Sequence, residues 1–264
     1  MKKNQSWRNL VNKHYNKQAD QYKISTLSTM PDQNVRKLEI QNILKYLNDY
    51  DHCLEVGCGN GTTTCIISET KTLDVLAVDA NAKMIKLAKS QNISKIKGTI
   101  TFVKKDILDL KFKEEFDVTY TIRCVINLLD QKTQLLALTN LANSVKVGGK
   151  LILLEAFEDG LQELNQARKE VGLEDIPPAY HNLHLKKDKV IKHLSKLGFQ
   201  LMSEDNFLSS YYFYTRVIYP ALAKANSVDV VFNSKISEFF TTQLPYGNFA
   251  HIKTLYFQRD NQKD

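Results

Sequence analysis

The sequence lacks the features that would cross-link the chain, export it or hold it in a membrane. Its four cysteines form no CxxC pair and have no histidine at a zinc-ligand spacing, so we expect reduced thiols and no metal site. No apolar run approaches the roughly 18–20 residues that span a bilayer, and no apolar leader segment follows the basic N-terminus. These absences predict a cytoplasmic protein without stable membrane insertion.

Arginine is also scarce, which bears on how the charge of the chain is interpreted. Only six of the 36 basic residues are arginine, and the formal net charge is +7. Nucleic-acid-binding proteins cluster their basic residues and use arginine forks for phosphate and guanine, whereas these lysines are scattered. We therefore predict a solvated surface and no nucleic-acid partner. Residues 1–23 hold +5 of the charge, so the rest of the chain is close to neutral.

Strand-like and helix-like segments alternate along the chain. With 264 residues, 43% of them apolar, one substantial core can form without cross-links. The alternation indicates βαβ units, and hence an α/β fold with a parallel sheet and helices on both faces. The predicted strands are 53–56, 74–78, 99–103, 116–120, 150–155, 199–203 and 252–257, and the predicted helices are 34–49, 62–68, 82–90, 131–145 and 187–196.

Glycines and carboxylates stand directly after the first three predicted strands. Gly57, Gly59 and Gly61 follow the first strand, Asp79 ends the second, and Asp106 follows the third. Parallel sheets bind ligands beyond the carboxyl ends of their strands, where the strand order reverses. The position of these residues therefore predicts a ligand site.

The chemistry of these residues favours one kind of ligand. The dinucleotide fingerprint Gly-x-Gly-x-x-Gly would need glycine where Thr62 stands, and Glu55, just before the loop, suits a cationic ligand better than a pyrophosphate. Asp79 can accept both hydroxyl groups of a ribose, and Asp106 can accept from the amino group of an adenine. A ribose, an adenine and a positively charged amino-acid end together describe S-adenosylmethionine (SAM).

The same residues resemble those of the class I SAM-dependent methyltransferases. The resemblance covers roughly residues 50–157 and is carried, in order, by Leu-Glu-Val-Gly-Cys-Gly-Asn-Gly at 54–61, Val-Asp-Ala-Asn at 78–81, Lys-Lys-Asp-Ile at 104–107, Phe-Asp-Val at 116–118 and Val-Gly-Gly-Lys-Leu at 147–151. It implies a SAM-dependent enzyme with a seven-stranded, mostly parallel Rossmann-like sheet. The cofactor-binding residues it implies are Tyr15, Tyr22, Glu55, Gly57, Gly59, Asp79, Ala80, Met84, Asp106, Ile107, Thr121 and Ile122.

The chain is then predicted to divide into a cofactor-binding core and additions that select the substrate. The segments are a lid at 1–33, the SAM-binding core at 34–157, a substrate loop at 158–185, a core helix and strand at 186–206, a helical cap at 207–249 inserted before the last strand, and that strand with its tail at 250–264.

An aromatic stripe marks the basic N-terminal segment as the lid. Trp7, Tyr15, Ala19 and Tyr22 recur at a helical spacing, and members of the family often begin with a similar Tyr, Ala, Tyr segment that closes over the cofactor. A basic lid would draw an anionic substrate toward the site. Packing into the core and docking on a membrane surface are the alternatives.

The segment after the fourth predicted strand argues against acceptors in nucleic acid. Enzymes that methylate exocyclic amino groups carry an Asn/Asp-Pro-Pro-aromatic motif there, which residues 121–127 lack. Cytosine-C5 enzymes need a nucleophilic cysteine after proline, whereas Cys124 follows Arg123 and is interpreted as a packing residue. We therefore expect a small-molecule acceptor.

Two later segments supply candidate residues for that acceptor. A proline-bounded loop holds two histidines, and an aromatic run precedes Arg216, whose guanidinium would need an acceptor if it were buried. An anionic oxygen needs only positioning by such groups, and a histidine would serve as the base if one is required. Core packing of the aromatic run and structural roles for the histidines are the alternatives. The predicted catalytic residues are His181, Arg216, Tyr211 and Arg123, and the predicted substrate-binding residues are Tyr180, His184 and Tyr212.

The C-terminal pattern, His-Asn-Leu and then Ser-Ser-Tyr-Tyr-x-x-Thr-Arg-Val-x-x-Pro, resembles methyltransferases of bacterial surface-glycan and capsule biosynthesis. It implies O-methylation of a sugar, nucleotide-linked or phosphorylated precursor. The leading prediction is thus an O-methyltransferase for a small anionic acceptor. A nitrogen, lipid or quinone methyltransferase of the same fold and a non-catalytic SAM-binding regulator are the alternatives, and no oligomeric state is predicted.

Overall fold

A seven-stranded mixed sheet forms the centre of the molecule. The computed structural model describes residues 2–261, with side chains from residue 5 onward. The strands are β1 (His52–Val56), β2 (Asp74–Asp79), β3 (Thr99–Lys104), β4 (Phe116–Ile122), β5 (Val145–Ala156), β6 (Phe199–Asp205) and β7 (Ile252–Arg259). Their order in the sheet is β3-β2-β1-β4-β5-β7-β6. Strands β1 to β5 are parallel, and β7 runs antiparallel to both β5 and β6. The predicted Rossmann-like sheet is confirmed.

Ten α-helices surround the sheet in the part of the chain that the structure describes. They are α1 (Lys2–Tyr22), α2 (Gln33–Leu44), α3 (Thr62–Thr70), α4 (Ala82–Ala88), α5 (Gln131–Ser144), α6 (Glu158–Glu170), α7 (Lys187–Ser195), α8 (Ser209–Phe213), α9 (Tyr219–Ala225) and α10 (Lys235–Phe240). A π-helical turn, Tyr214–Ile218, joins α8 to α9. None of the described helices is long and apolar enough to cross a bilayer.

Side-chain caps fix where the helices beside the sheet begin. Asp32 accepts hydrogen bonds from the backbone N–H groups of Asn34 and Val35 at the start of α2. Asn81 accepts from the N–H of Met84 at the start of α4. Such caps satisfy N–H groups that the helix itself leaves free, so both helices begin next to the carboxyl end of a strand.

The strand order reverses between β1 and β4, which lie side by side in the sheet. The chain leaves β1 toward β2 on one side and β4 toward β5 on the other. Loops that diverge in this way open a crevice above the strand ends. The interior of both strands is buried, with Leu54 and Tyr120 fully enclosed, so the crevice has a rigid floor.

The fifth strand is longer than the sequence predicts. It begins at Val145, and Gly148 and Gly149 lie inside it instead of forming a turn before it. Gly148 has φ +73°, and the pairing of β4 with β5 shifts register between Phe116 and Val118. The glycine pair therefore forms an irregularity of the kind that bulges produce in strands.

The predicted substrate loop at 158–185 is wrong in its first half, because residues 158–170 form α6. Glu158 and Asp159 lie in its first turn, and Arg168 and Lys169 lie in its last, an arrangement that complements the helix dipole. The irregular part is 171–186. Met1 and residues 262–264, at the ends of the predicted lid and tail, lie outside the described residues.

Candidate active site

The loop after β1 requires glycine for two reasons. Gly57 has φ +86°, in the left-handed region that other residues rarely adopt. A Cβ on Gly57 would also lie 2.6 Å from Cβ and Sγ of Cys124, in the loop that follows β4. The two loops at the switch point therefore pack closely, and any larger residue at 57 would push them apart.

Asp79 links this loop to the start of α4. Its Oδ2 accepts a hydrogen bond from the backbone N–H of Gly59 (2.9 Å), and its Oδ1 accepts one from the N–H of Asn81 (2.7 Å). Burial raises the pKa of Asp79, although both N–H groups act in the opposite direction. Each carboxylate oxygen has a further lone pair, so Asp79 can hold the loop and still accept from hydroxyl groups.

A cavity of about 660 Å³ lies beyond the carboxyl ends of these strands, a size typical of small-molecule and cofactor sites. Many of the residues predicted from the sequence meet on its wall. They are Tyr15, Glu55, Gly57, Gly59, Asp79, Ala80, Asp106, Ile107, Ile122 and Arg123.

Three residues implied as cofactor contacts do not line this cavity. Met84 lies in the first turn of α4 and its side chain is fully buried. Thr121 points to the other side of β4, where its hydroxyl donates to Glu155 (2.7 Å). Tyr22 is the last residue of α1, beyond the part of that helix that reaches the cavity.

Two buried charged side chains stand together on the cavity wall. Glu55 is 2% exposed and Arg36 is 4% exposed. Burial raises the pKa of Glu55 to about 7, while a hydrogen bond from the hydroxyl of Tyr120 (3.1 Å) acts to lower it. The guanidinium of Arg36 pairs with Glu39 (3.1 Å), yet its Nε has no hydrogen-bond partner among the described residues. An unpartnered buried donor beside a carboxyl group suits a zwitterionic ligand group.

Helix α1 forms the roof of the cavity, and polar contacts hold it there. Nε1 of Trp7 donates to the carbonyl oxygen of Asn127 (2.8 Å), and the hydroxyl of Tyr15 donates to Oδ1 of the same residue (3.2 Å). Nδ2 of Asn81 donates to Oδ1 of Asn16 (2.9 Å). Seven α1 residues line the cavity: Gln5, Trp7, Arg8, Asn9, Val11, Asn12 and Tyr15.

Arg123 adopts a strained backbone immediately after β4. Its φ is +53°, a left-handed conformation that costs a non-glycine residue about 1–2 kcal/mol. Its side chain is held by an ion pair with Glu39 (2.7 Å) and a hydrogen bond to the carbonyl oxygen of Thr29 (3.0 Å). Nδ2 of Asn127 donates to its carbonyl oxygen (2.9 Å). Strain held in this way is typical of functional sites.

Glu155 supports the same loop from below, and the sequence analysis missed it. This buried carboxylate ends β5 and accepts from the backbone N–H groups of Cys124 (2.9 Å) and Val125 (3.0 Å). The sequence feature that could have identified it is an acidic residue near the end of a strongly apolar strand, next to the switch point. These hydrogen bonds hold the backbone of the loop that carries Arg123.

Arg216 and Tyr211, predicted to orient the acceptor, bind Asp32 instead. Nη2 of Arg216 lies 2.6 Å from Oδ2 of Asp32, and the hydroxyl of Tyr211 donates to Oδ1 (2.9 Å). The guanidinium also lies over the rings of Tyr212 (4.8 Å) and Phe232 (4.2 Å). Neither Arg216 nor Tyr211 lines the cofactor-sized cavity. The burial of Tyr211 agrees with the core-packing alternative for the aromatic run.

Two pairs of stacked histidine rings connect the 171–186 segment with α1 and with the residue before β7. The ring of His181 stacks on that of His14 (3.9 Å between centroids), and the ring of His184 stacks on that of His251 (5.1 Å). The hydroxyl of the exposed Tyr180 lies 2.8 Å from Nδ1 of His14. Within the described residues, Nδ1 of His181, His184 and His251 has no hydrogen-bond partner. No local signal marks His251, which pairing of β7 with β5 brings to this place.

Burial lowers the pKa of three of these imidazoles, those of His181, His184 and His251, well below the usual value. It lowers the pKa of His181 and of His184 to about 4, and neighbouring positive charge from His14 and Arg123 adds to the effect at His181. Burial lowers the pKa of His251 to about 3. Imidazoles with such pKa values are uncharged at neutral pH and are weak bases.

Known proteins are similar to this chain over its cofactor-binding half. Residues 53–149 match the family model of the methyltransferase domain. The O-methyltransferase cnsE of Penicillium expansum is 29% identical over 111 residues, which make up 41% of this chain and 39% of that protein. An O-methyltransferase of Pyrenophora dematioidea is 24% identical over 168 residues, which make up 62% of this chain and 60% of that protein. The chain thus matches less than two thirds of either relative.

A solved structure has the same fold over nearly the whole chain. The magnesium protoporphyrin IX methyltransferase ChlM of Synechocystis PCC 6803, with bound SAH, has a TM-score of 0.57 at 15% identity and covers 94% of both chains. The two sequence relatives are fungal, so the resemblance to bacterial capsule enzymes finds no support in them. The strand order and the place of the cavity at the switch point agree with the methyltransferase-domain model that residues 53–149 match.

Proposed function

We propose that the protein transfers the methyl group of SAM to an oxygen of a small anionic acceptor. The observation that carries this proposal is the alignment of three carboxylates, Glu55, Asp79 and Asp106, along the wall of one cavity. Each comes from the end of a neighbouring parallel strand, which is where such sheets bind their ligands.

The residues on the wall fit each part of SAM. Asp106 and Ile107 would hold the adenine, and Asp79 would accept from the ribose hydroxyl groups. At the other end, Glu55 would bind the ammonium group, and the unpartnered Nε of Arg36 would donate to the carboxylate. A buried charge is tolerated when it is paired, so the zwitterionic end satisfies both side chains.

Bound SAM supplies a sulfonium methyl group, whose transfer is an in-line displacement. The protein has to align the acceptor oxygen with that carbon and exclude water, since alignment accounts for much of the acceleration in such reactions. Helix α1 would close the site from above, and Arg123, fixed by Glu39 and Thr29, would form the wall next to the acceptor.

The charge around Arg123 supports an anionic acceptor. Three buried or nearly buried arginines, Arg36, Arg123 and Arg216, share two carboxylates, Asp32 and Glu39. A third carboxyl group, that of Glu55, lies near Arg36. The support for an anionic acceptor is therefore the guanidinium of Arg123, which lines the cavity, because guanidinium groups bind anionic oxygens with strong, charge-assisted hydrogen bonds.

The state of the histidines supports an oxygen that needs no base. His181, the base predicted from the sequence, has a pKa of about 4 and would accept a proton poorly from an alcohol. A carboxylate, phosphate or acidic phenol is already deprotonated at neutral pH. Neither His181 nor His184 lines the cavity, so we assign no proton transfer to either and expect no dependence of methyl transfer on a histidine base.

Calorimetry with SAM and SAH tests the cofactor site. Asp79→Asn should weaken binding of both by at least about tenfold, because the amide NH₂ would face one of the two backbone N–H donors and the charge that receives the ribose hydroxyls would be lost. Asp74→Asn, at the exposed start of the same strand, is the matched control and should bind normally. If neither SAM nor SAH binds the unmodified protein, the proposed function is wrong.

A methyl-transfer assay with labelled SAM tests the acceptor class. Aromatic and aliphatic carboxylates, phosphate monoesters and acidic phenols should accept the methyl group, whereas neutral alcohols and amines should not. Transfer to amines alone would contradict the proposed chemistry.

A further inference from the structure

Asn127 ends the short turn Val125–Asn127 after β4 and contacts both helix α1 and the chain around Arg123. Its Nδ2 donates to the carbonyl oxygens of Arg123 (2.9 Å) and Cys124 (3.4 Å), and its Oδ1 accepts from the hydroxyl of Tyr15 (3.2 Å). Carbonyl oxygens only accept hydrogen bonds, which fixes the orientation of this amide. Both of its hydrogens are therefore used within the protein.

The turn that carries Arg123 is held through its carbonyl groups by Asn127 and through its N–H groups by Glu155. The left-handed backbone of Arg123 (φ +53°) is of the kind that persists only where the surroundings hold it. Glu155 accepts from the N–H groups of Cys124 and Val125, and the amide of Asn127 donates to the carbonyl groups that precede them. Asn127 is the one of these two supporting residues that lines the cavity.

Helix α1 reaches Asn127 through two aromatic side chains. Nε1 of Trp7 donates to the backbone carbonyl oxygen of Asn127 (2.8 Å), and the hydroxyl of Tyr15 donates to its side chain. Burial raises the pKa of Tyr15 to about 12, so this hydroxyl keeps the proton that it donates at neutral pH. The roof of the cavity and the wall that carries Arg123 are therefore joined at one residue, Asn127.

We infer that Asn127 is a positioning residue for methyl transfer, which holds the Arg123 turn and helix α1 in a single geometry around the cofactor. The inference rests on the proposed function, in which Arg123 lies next to the acceptor and α1 encloses the site. In-line transfer depends on alignment, and a displacement of about 1 Å can cost about a hundredfold in rate. Because its amide hydrogens are already used, Asn127 acts through these two neighbours and not by donating to a ligand.

Two substitutions separate the contacts of Asn127. Asn127→Asp keeps an oxygen that can accept from Tyr15 but places a second oxygen against the carbonyl groups of Arg123 and Cys124, whereas Tyr15→Phe removes only the hydroxyl that binds Asn127. We expect Asn127→Asp to lower kcat by at least about tenfold, because the wall beside the acceptor shifts, and to leave the KM for SAM almost unchanged. Tyr15→Phe should raise the KM for SAM by about two- to tenfold, with a smaller effect on kcat. A loss of stability alone would not divide the two parameters in this way.

Asn165→Asp is the matched control. Nδ2 of Asn165 donates to the carbonyl oxygen of Ile176 (3.1 Å), and its Oδ1 accepts from the N–H of the same residue (2.9 Å). Like Asn127, Asn165 is partly buried, but it does not line the cavity. The substitution therefore removes the same kind of bond away from the site, and both kinetic parameters should equal those of the unmodified protein.

Methyl transfer is measured from labelled SAM to benzoate, hexanoate, phenyl phosphate and para-nitrophenol, and kcat is expressed per SAH-binding site counted by calorimetry. Hydrogen exchange across residues 123–128 of the SAH complex needs no acceptor. It should be faster in Asn127→Asp than in the unmodified protein, because the turn has lost two hydrogen bonds. If Asn127→Asp binds no SAH, Asn127→Ser takes its place, since it removes the amide without setting a charge against the carbonyl groups.

An unchanged kcat in Asn127→Asp would overturn the inference, as would an equal loss in Asn165→Asp or unchanged exchange across residues 123–128. Loss of SAH binding in both substitutions at Asn127 would also overturn it, because the residue would then be needed for the folded cavity itself. If the unmodified protein binds SAH but methylates none of these acids, the proposed acceptor is wrong and the exchange measurement decides on Asn127. If the unmodified protein binds no SAH, the proposed function itself is wrong.

Discussion

Glu39 balances the charge of two arginines at the site. It is fully buried and pairs with Arg36 at 3.1 Å and with Arg123 at 2.7 Å. Glu39→Gln would remove the carboxylate that the guanidinium groups of Arg36 and Arg123 share. Removing one partner of a buried ion pair typically costs about 3–5 kcal/mol, so we expect a loss of this order in urea unfolding.

Asp175→Asn provides the control for that prediction. Asp175 pairs with Lys169 at 3.2 Å, and both side chains are about half exposed. Exposed pairs contribute about 0–1 kcal/mol, so this substitution should leave the unfolding curve almost unchanged. If Glu39→Gln costs no more than Asp175→Asn, Glu39 is not the counterion on which the arginines depend.

The residues that the sequence could predict are those whose role follows from their place at a strand end. The positions of Gly57 and Asp79 are fixed by the strands that they follow or end. The local sequence pattern was therefore enough to predict that both lie at one cavity. Asp32, by contrast, binds the guanidinium of Arg216, which lies 184 positions later in the sequence. No local pattern distinguishes Asp32 from the other carboxylates of the chain, and only the packing of the cap against α2 joins the two.

At the scale of elements, the strands were predictable because each is a short apolar run bounded by polar residues. The errors arose where a second element changes the outcome. Pairing with β4 extends β5 back to Val145, and charge at both ends supports α6 where a loop was expected. His251 was missed because β7 runs antiparallel to β5, an arrangement that the alternation of strands and helices does not reveal.

Helix α1 should respond directly to cofactor binding. It covers the cavity through polar contacts such as those of Trp7 and Tyr15 with Asn127, and as the proposed lid it would open before SAM enters. We expect hydrogen exchange across residues 5–20 to slow when SAH binds, because bound ligand holds the helix on the wall. Helix α7, which does not line the cavity, is the internal control and should exchange at an unchanged rate.

The fluorescence of Trp7 offers a second measurement of the same motion. Trp7 is the single tryptophan of the chain and lies on the cavity wall. Titration with SAH should change its emission with the same midpoint as calorimetry. If emission and hydrogen exchange both stay constant while calorimetry shows binding, α1 is a fixed wall and the lid proposal is wrong.

For the molecule as a whole, the buried histidines should make stability depend on pH. Burial lowers the pKa of His184 to about 4, below the value of about 6.5 in an unfolded chain. Below pH 6.5 the unfolded state therefore takes up a proton that the folded state refuses, so stability from this group is complete above pH 6.5 and is lost progressively toward pH 4. Burial raises the pKa of Glu55 to about 7, so this group makes the protein more stable as the pH falls. Because the two groups have opposite effects on stability, a variant has to be compared with the unmodified protein to isolate the contribution of His184.

His184→Gln removes one of these titrating groups and keeps a polar side chain of similar size. We expect the variant to lose less stability than the unmodified protein between pH 6.5 and pH 4, as followed by urea unfolding at half-unit intervals. Parallel curves for His184→Gln and the unmodified protein would mean that His184 takes up its proton equally in both states, contrary to its burial beside His251.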